Sequence, residues 1–193
     1  LAETTRHKFS LLAYSMGGRI TQVILPDIIA DLTHLYLIAP DGIDTKWMFN
    51  VNQFPMFVRH YLRRALRKPE RFLRMLHWFY NKKFITKFEH AFAYNHLKTP
   101  ERRHRLFCTW NAIHHFKPHP KKFKQLLQEH QLPTKLYYGK RDEVIQVSSG
   151  AWLSEGLPHV QLHLLEEGHL LIDQALNELL DQQLNERVEA SNI

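Results

Sequence analysis

Three things are scarce in this 193-residue sequence: cysteine, long apolar runs and, across its middle, acidic side chains. Cys108 is the sole cysteine, which excludes an internal disulfide framework and leaves a reducing cytoplasm as the default setting. No apolar run approaches the ~18 residues that a membrane-crossing helix needs. The first residues, LAETTRHKF, read as the end of a helix leading into a strand and not as a signal peptide, so the chain is expected to begin in the middle of a larger arrangement. Acidic residues nearly disappear between Thr45 and Leu132, where 19 Lys and Arg face 4 Asp and Glu. The remainder carries 7 basic and 15 acidic residues, so a local +15 adjoins a local −8. That asymmetry marks the middle as a separate unit with its own surface chemistry. Strand patterns are missing from Trp47 to His130, and no internal repeat or low-complexity tract occurs.

What is present suits a packed α/β domain. Apolar residues make up 44% of the chain, ordinary for a globular core. Phe9–Tyr14, FSLLAY, reads as a short buried strand, and from Met16 the period becomes helical, with Ile20, Val23 and Ile24 on one face. A strand that turns at once into a helix needs small residues where the backbones crowd, and Ala13, Gly17 and Gly18 supply them. This helix is expected to reach about Ala30, with Pro26 kinking or ending it. LTHLYLIAPDGI then reads as a second strand closing in Pro40-Asp41-Gly42.

The middle is helical in period. Val58, Tyr61, Leu62 and Leu66 share a face, Pro69-Glu70 opens a helix, and Thr99-Pro100-Glu101 is a capped start with Pro at the first helical position. Four or five helices are expected there. Strands return at TKLYYGKRDEVI and at VQLHLLEEGHLLI, the latter expected to run to Gly168-His169, with GAWLSEGL between them as a helix and a final amphipathic helix carrying Leu171, Ile172, Leu176, Leu179 and Leu180. Strands alternating with helices imply a mostly parallel sheet.

Three polar residues therefore follow three strands: Ser15, Asp142 and His169. Parallel strands end on one edge of the sheet, where sites assemble. Attack on an acyl carbon needs a hydroxyl, a base for its proton and a carboxylate to orient the imidazole. Ser15 is also readable as a plain small residue in a tight turn, and Asp142 as a turn-former with Glu143 as a second carboxylate beside it. His114, His115 and His119 raise a metal reading. Neighbours on a helix point about 100° apart, and no cysteine or carboxylate cluster accompanies them, so a solvated basic face is the expectation and no metal is assigned.

AYSMGG resembles the nucleophile elbow G-x-S-x-G of the α/β-hydrolase family, with Ala13 in place of the first Gly; GKRDEVI resembles that family's acid loop and EEGHLLI its histidine loop. The resemblance spans nearly the whole chain. It implies an α/β fold with a mostly parallel sheet of the α/β-hydrolase type, its core formed by residues 1–44 and 133–193, with residues 45–132 inserted as a basic, all-helical cap. It further implies that the N-terminal part of the sheet, with the second oxyanion-hole donor, is absent from this chain. Ser15 would be the nucleophile, His169 the general base, Asp142 its orienting partner and the backbone N–H of Met16 an oxyanion donor. Tyr14 and Trp110 are the candidate substrate contacts, and no cofactor is implied. The expected reaction is hydrolysis of a carboxylic ester or thioester through an acyl-serine. Two alternatives stand beside it: carbon–carbon bond hydrolysis with the same triad, and a non-catalytic interaction module working through the basic segment.

The basic segment admits three accounts: a solvated helical face, recruitment of an acidic acyl-carrier protein or coenzyme A thioester, or contact with an anionic membrane surface, since Trp78, Phe79, Tyr80, Phe84 and Phe88 interleave with Lys and Arg. No nucleic-acid motif accompanies the charge, and no nucleic acid partner is expected. The protein is expected in the cytoplasm, with peripheral membrane association following from the third account.

Overall fold

The computed structural model describes residues 8–43, 64, 69–113, 116–172, 176–178 and 180. The chain divides into two compact units, Leu1–Thr45 with Pro118–Ile193, and Lys46–Lys117.

The first unit is built on a parallel sheet. Its strands are β1 (Phe9–Tyr14), β2 (Leu32–Ile38), β3 (Thr134–Gly139) and β4 (Val160–Leu165), in the order β1-β2-β3-β4. Helix α1 (Met16–Ile28) and a short 3-10 turn (Ile29–Asp31) join β1 to β2. The register sets Tyr14 beside Ile38, Ile38 beside Tyr137 and Gly139 beside Leu165, so the C-terminal ends of all four strands line up. The inner strands carry the core: Leu35, Leu37, Leu136, Tyr137 and Tyr138 are fully buried. In β1 and β4, at the ends of the order, burial is partial, and Phe9, Leu12 and Leu164 face outward. A sheet covered on both faces reads as a continuous apolar run, as LYLI does.

Two expectations change in detail. The buried stripe of α1 is Gly18, Arg19, Thr21, Gln22 and Leu25, while Ile20, Val23 and Ile24 are only half-buried. Polar side chains occupy the inward face with donors that are met there: Arg19 by Asp41, Thr21 by the Gly17 carbonyl and the Gln22 Nε2 by the Asp41 carbonyl, while Gln22 Oε1 is buried without a partner. The expected boundary at residue 132 also moves. Helix α5 (Pro120–His130) belongs to the sheet-bearing unit, where it packs against α1 and buries Phe123 and Leu127 one turn apart. Nothing in its basic composition signalled this, since its exposed face carries the lysines and its two buried positions decide the packing. Helix α6 (Val147–Ser154) joins β3 to β4 and buries Gly150 and Leu153.

The second unit contains three described helices: α2 (Pro69–Asn81), α3 (Lys87–Leu97) and α4 (Pro100–Ile113). Pro at each of two first positions fits its missing N–H and fixed φ. Thr86 and Glu89 form a reciprocal capping box at α3, and the Thr99 hydroxyl accepts from the Arg102 N–H at 3.3 Å before α4. α2 packs on α3 and α3 on α4. Among the described residues of this unit, Leu97 is the one buried apolar side chain. The helical face of Val58, Tyr61, Leu62 and Leu66, the LAETTRH opening and most of the last helix lie outside the described residues. No described helix is long and apolar enough to cross a membrane.

Candidate active site

The site begins with the turn at the end of β1. Ser15 has φ 49° and ψ −112°, a conformation that L-residues rarely adopt. Hydrogen bonds from both sides hold it: its N–H donates to the Ile38 carbonyl at 2.9 Å, while its carbonyl accepts from Gly18 at 2.9 Å and from Asp41 at 2.8 Å. The strain is therefore set by β2 and the turn that follows it. A Cβ on Gly18 would lie 2.4 Å from the Pro40 Cβ and 2.7 Å from its Cα, so only glycine lets α1 start this close to the Pro40-Asp41 turn. Gly17 is less constrained. A Cβ there would meet the Ala13 methyl at 3.4 Å, ordinary contact, which is why alanine fits at position 13.

Arg19 and Asp41 lock the same turn. The guanidinium donates to both carboxylate oxygens, Nε at 2.7 Å and Nη2 at 3.2 Å, with the Arg19 side chain 4% exposed. This two-pronged pair fixes the geometry as well as the charge. Arg19 directly follows AYSMGG and Asp41 stands in the Pro40-Asp41-Gly42 turn, but the contact spans 22 positions and no local pattern announces it.

Asp142 follows β3. Its Oδ1 accepts from the N–H groups of Val144 at 2.7 Å and Ile145 at 2.9 Å, which folds the acid loop around the carboxylate. Its Oδ2 lies 2.8 Å from His169 Nδ1, and the Asp142 side chain is fully buried. Glu143, the neighbouring carboxylate, is exposed.

His169 stands beyond β4, which ends at Leu165, three residues earlier than Gly168. The connecting loop crosses the end of β3 instead of extending the strand. Arg141 N–H donates to the Glu167 carbonyl at 3.0 Å, and a Cβ on Gly139 would come within 2.4 Å of the Glu167 and Gly168 carbonyl oxygens. Gly139 is thus a positioning residue that the sequence reading passed over as the end of LYYG. His169 Nε2 lies 3.0 Å from Ser15 Oγ, and the imidazole is 24% exposed.

Ser15, His169 and Asp142 thus form one hydrogen-bonded chain from three separate loops. A buried carboxylate at Nδ1 holds the proton there and leaves the Nε2 lone pair facing the serine hydroxyl, an arrangement that can take the hydroxyl proton and stabilise the imidazolium formed. Met16 opens α1, where its N–H has no preceding turn to bond to. Tyr14, expected to contact substrate, has its hydroxyl committed to the His169 carbonyl at 2.8 Å, and its ring lies 5.7 Å from the imidazole. Burial, reinforced by the Asp142 charge, pushes the Tyr14 phenol above its ordinary range, so it remains a donor at neutral pH. Trp110 falls in α4, with its side chain outside the described residues, as are His114 and His115; His119 precedes α5 and is exposed. Among the described residues no three His, Cys, Asp or Glu side chains group as a metal site would require.

No family model and no curated protein matches the chain. Solved structures do. A structure from a study of carboxylesterases of the ammonia-oxidising thaumarchaeon Nitrososphaera gargenis superposes with a TM-score of 0.55 at 14% identity over 96% of this chain and 66% of that one. A 2-hydroxy-6-oxo-6-phenylhexa-2,4-dienoate hydrolase from Rhodococcus sp. gives 0.54 at 16%, over 93% and 64% respectively. An α/β superfamily hydrolase from Oenococcus oeni gives 0.54 at 16%, over 94% and 68%. This chain spans about two thirds of the length of the structures it matches. It has the α/β-hydrolase fold.

Proposed function

We propose that this chain carries the nucleophile, base and acid of a serine hydrolase that cleaves a carboxylic ester or thioester. The carrying observation is the contact chain Ser15 Oγ–His169 Nε2 at 3.0 Å and His169 Nδ1–Asp142 Oδ2 at 2.8 Å. Ser15 Oγ attacks the acyl carbon while its proton passes to His169 Nε2. The tetrahedral oxyanion receives the Met16 N–H, a donor of a kind worth about 3 kcal/mol in the transition state. Collapse expels the alkoxide or thiolate, which takes the proton from His169, leaving acyl-Ser15. Water then gives a proton to the same nitrogen as it attacks the acyl carbon, and His169 passes that proton to Ser15 Oγ as the acyl–oxygen bond breaks, releasing the carboxylic acid and restoring the free serine. Asp142 stays ionised throughout and holds the ring. Tyr14, through the His169 carbonyl, and the Arg19–Asp41 pair, through the Ser15 turn, are positioning residues.

The experiment is rapid quench of the chain with a p-nitrophenyl ester and with an acyl thioester, followed by peptide mass analysis. A burst of product with an acyl adduct on Ser15 supports the reading. Turnover with no adduct and no loss in Ser15→Ala would remove it.

A further inference from the structure

Beyond hydrolysis, we propose that the tip of the α2–α3 hairpin is a docking point for an anionic lipid surface. The turn is ordered by its own backbone. Lys83, at φ 59°, donates its N–H to the Tyr80 carbonyl at 2.9 Å, and Phe84 donates to the Phe79 carbonyl at 3.0 Å. That is the paired closure of a Schellman motif, here with lysine where glycine is usual. The capping box of Thr86 and Glu89 then starts α3. A turn closed on both sides presents its side chains in a fixed direction.

Those side chains are unusual for a solvated loop. Phe84 is 68% exposed and Trp78 is 52% exposed, and their rings lie 6.1 Å apart, with Phe79 5.1 Å from Trp78 and 6.0 Å from Phe84. The motif accounts for the Phe84–Phe79 contact but leaves most of Phe84 in water. Residues 81–88, NKKFITKF, hold three lysines and no acidic residue; Lys82, Lys83 and Lys87 are exposed. The nearest acid, Glu89, is engaged at the Thr86 N–H at 2.8 Å. An aromatic cluster ringed by lysines matches a bilayer surface, where aromatic rings settle at headgroup depth and ammonium groups meet anionic lipid. An acidic protein would satisfy the lysines, but it leaves the outward rings without a role.

The test is co-sedimentation of the whole chain with phosphatidylcholine vesicles, with and without phosphatidylglycerol. Binding is expected to the anionic vesicles, weakening with salt. Phe84→Ala should lower the partition coefficient about tenfold, and Lys82→Glu with Lys87→Glu at least about tenfold, with the circular dichroism spectrum unchanged in both. The proposal is overturned by equal behaviour towards neutral and anionic vesicles, or by binding that Phe84→Ala leaves intact. It is equally overturned by polyglutamate binding or Phe84-dependent self-association in a chain that ignores vesicles, results that would hand the tip to an acidic protein or a second copy.

Discussion

The sheet-bearing unit and the helical unit spend their side chains in opposite ways. Around β2 and β3 nearly every residue is buried, and even Arg19, Thr21, Gln22, Thr134 and Ser149 are taken inside with hydrogen-bond partners. In the helical unit α2 buries nothing, and Met75, Trp78, Phe84, Phe92 and Tyr94 stand exposed. Backbone hydrogen bonds hold the Ser15 turn and the Asp142 carboxylate in the first unit, and those at Ser15 allow it to persist in a strained conformation. The helices of the second unit are set by caps and local turns, and their sequence is free to serve a surface.

That contrast is broken most directly by paired truncations. Leu136→Ala should cost about 2–5 kcal/mol, because the side chain is fully buried in an inner strand. Trp78→Ala removes a larger side chain yet should stay within about 1 kcal/mol, since half of it is already in water. Denaturant midpoints of the two variants are the readout; equal losses would deny that the units differ in packing.

A smaller effect sharpens the account of strain. Ser15→Gly relieves the positive φ, so it should raise stability by about 1 kcal/mol while abolishing acyl transfer; Ser15→Ala, equally disfavoured there, should abolish transfer without that gain. Thermal melts compare the three chains.

The smallest effect concerns pH. His163 on β4 stacks 5.1 Å from Tyr137, and its Nε2 is buried without a hydrogen-bond partner. Burial first, and then Lys135, hold its pKa below the ordinary value. The unfolded chain therefore takes up this proton at a higher pH than the folded one. Stability from the neutral ring is present above the ordinary histidine range, near about 6.5, and is lost as the pH falls through the folded pKa. His163→Phe should flatten the acid side of the melting profile, and a profile as steep as the parent's would contradict the assignment.

Much of the sheet was legible because its cues are local. FSLLAY, LTHLYLI and TKLYYG are runs bounded by turn residues, and the three polar residues after strands stand in short motifs. What escaped was long-range. The Arg19–Asp41 lock, the passage of the histidine loop over Gly139 and the return of α5 to the sheet each depend on contacts that no window of sequence contains. The extended reading of β4 failed for the same reason: the pairing stops at Leu165 because the Glu167 and Gly168 carbonyls pass over Gly139, a contact 28 and 29 positions away in sequence. Tyr14 was noticed as a neighbour of Ser15, but its hydroxyl turned out to reach 155 residues along the chain.

The most direct measurement is labelling with a fluorophosphonate probe, located by peptide mass analysis, on the parent chain and on Ser15→Ala, His169→Ala and Asp142→Asn. The expected result is a single adduct on Ser15, absent in Ser15→Ala and slowed by roughly 10³-fold or more in the other two. A folded parent chain that takes no label, or an adduct on Ser15 that forms equally fast without His169, would contradict the central claim that this serine is activated.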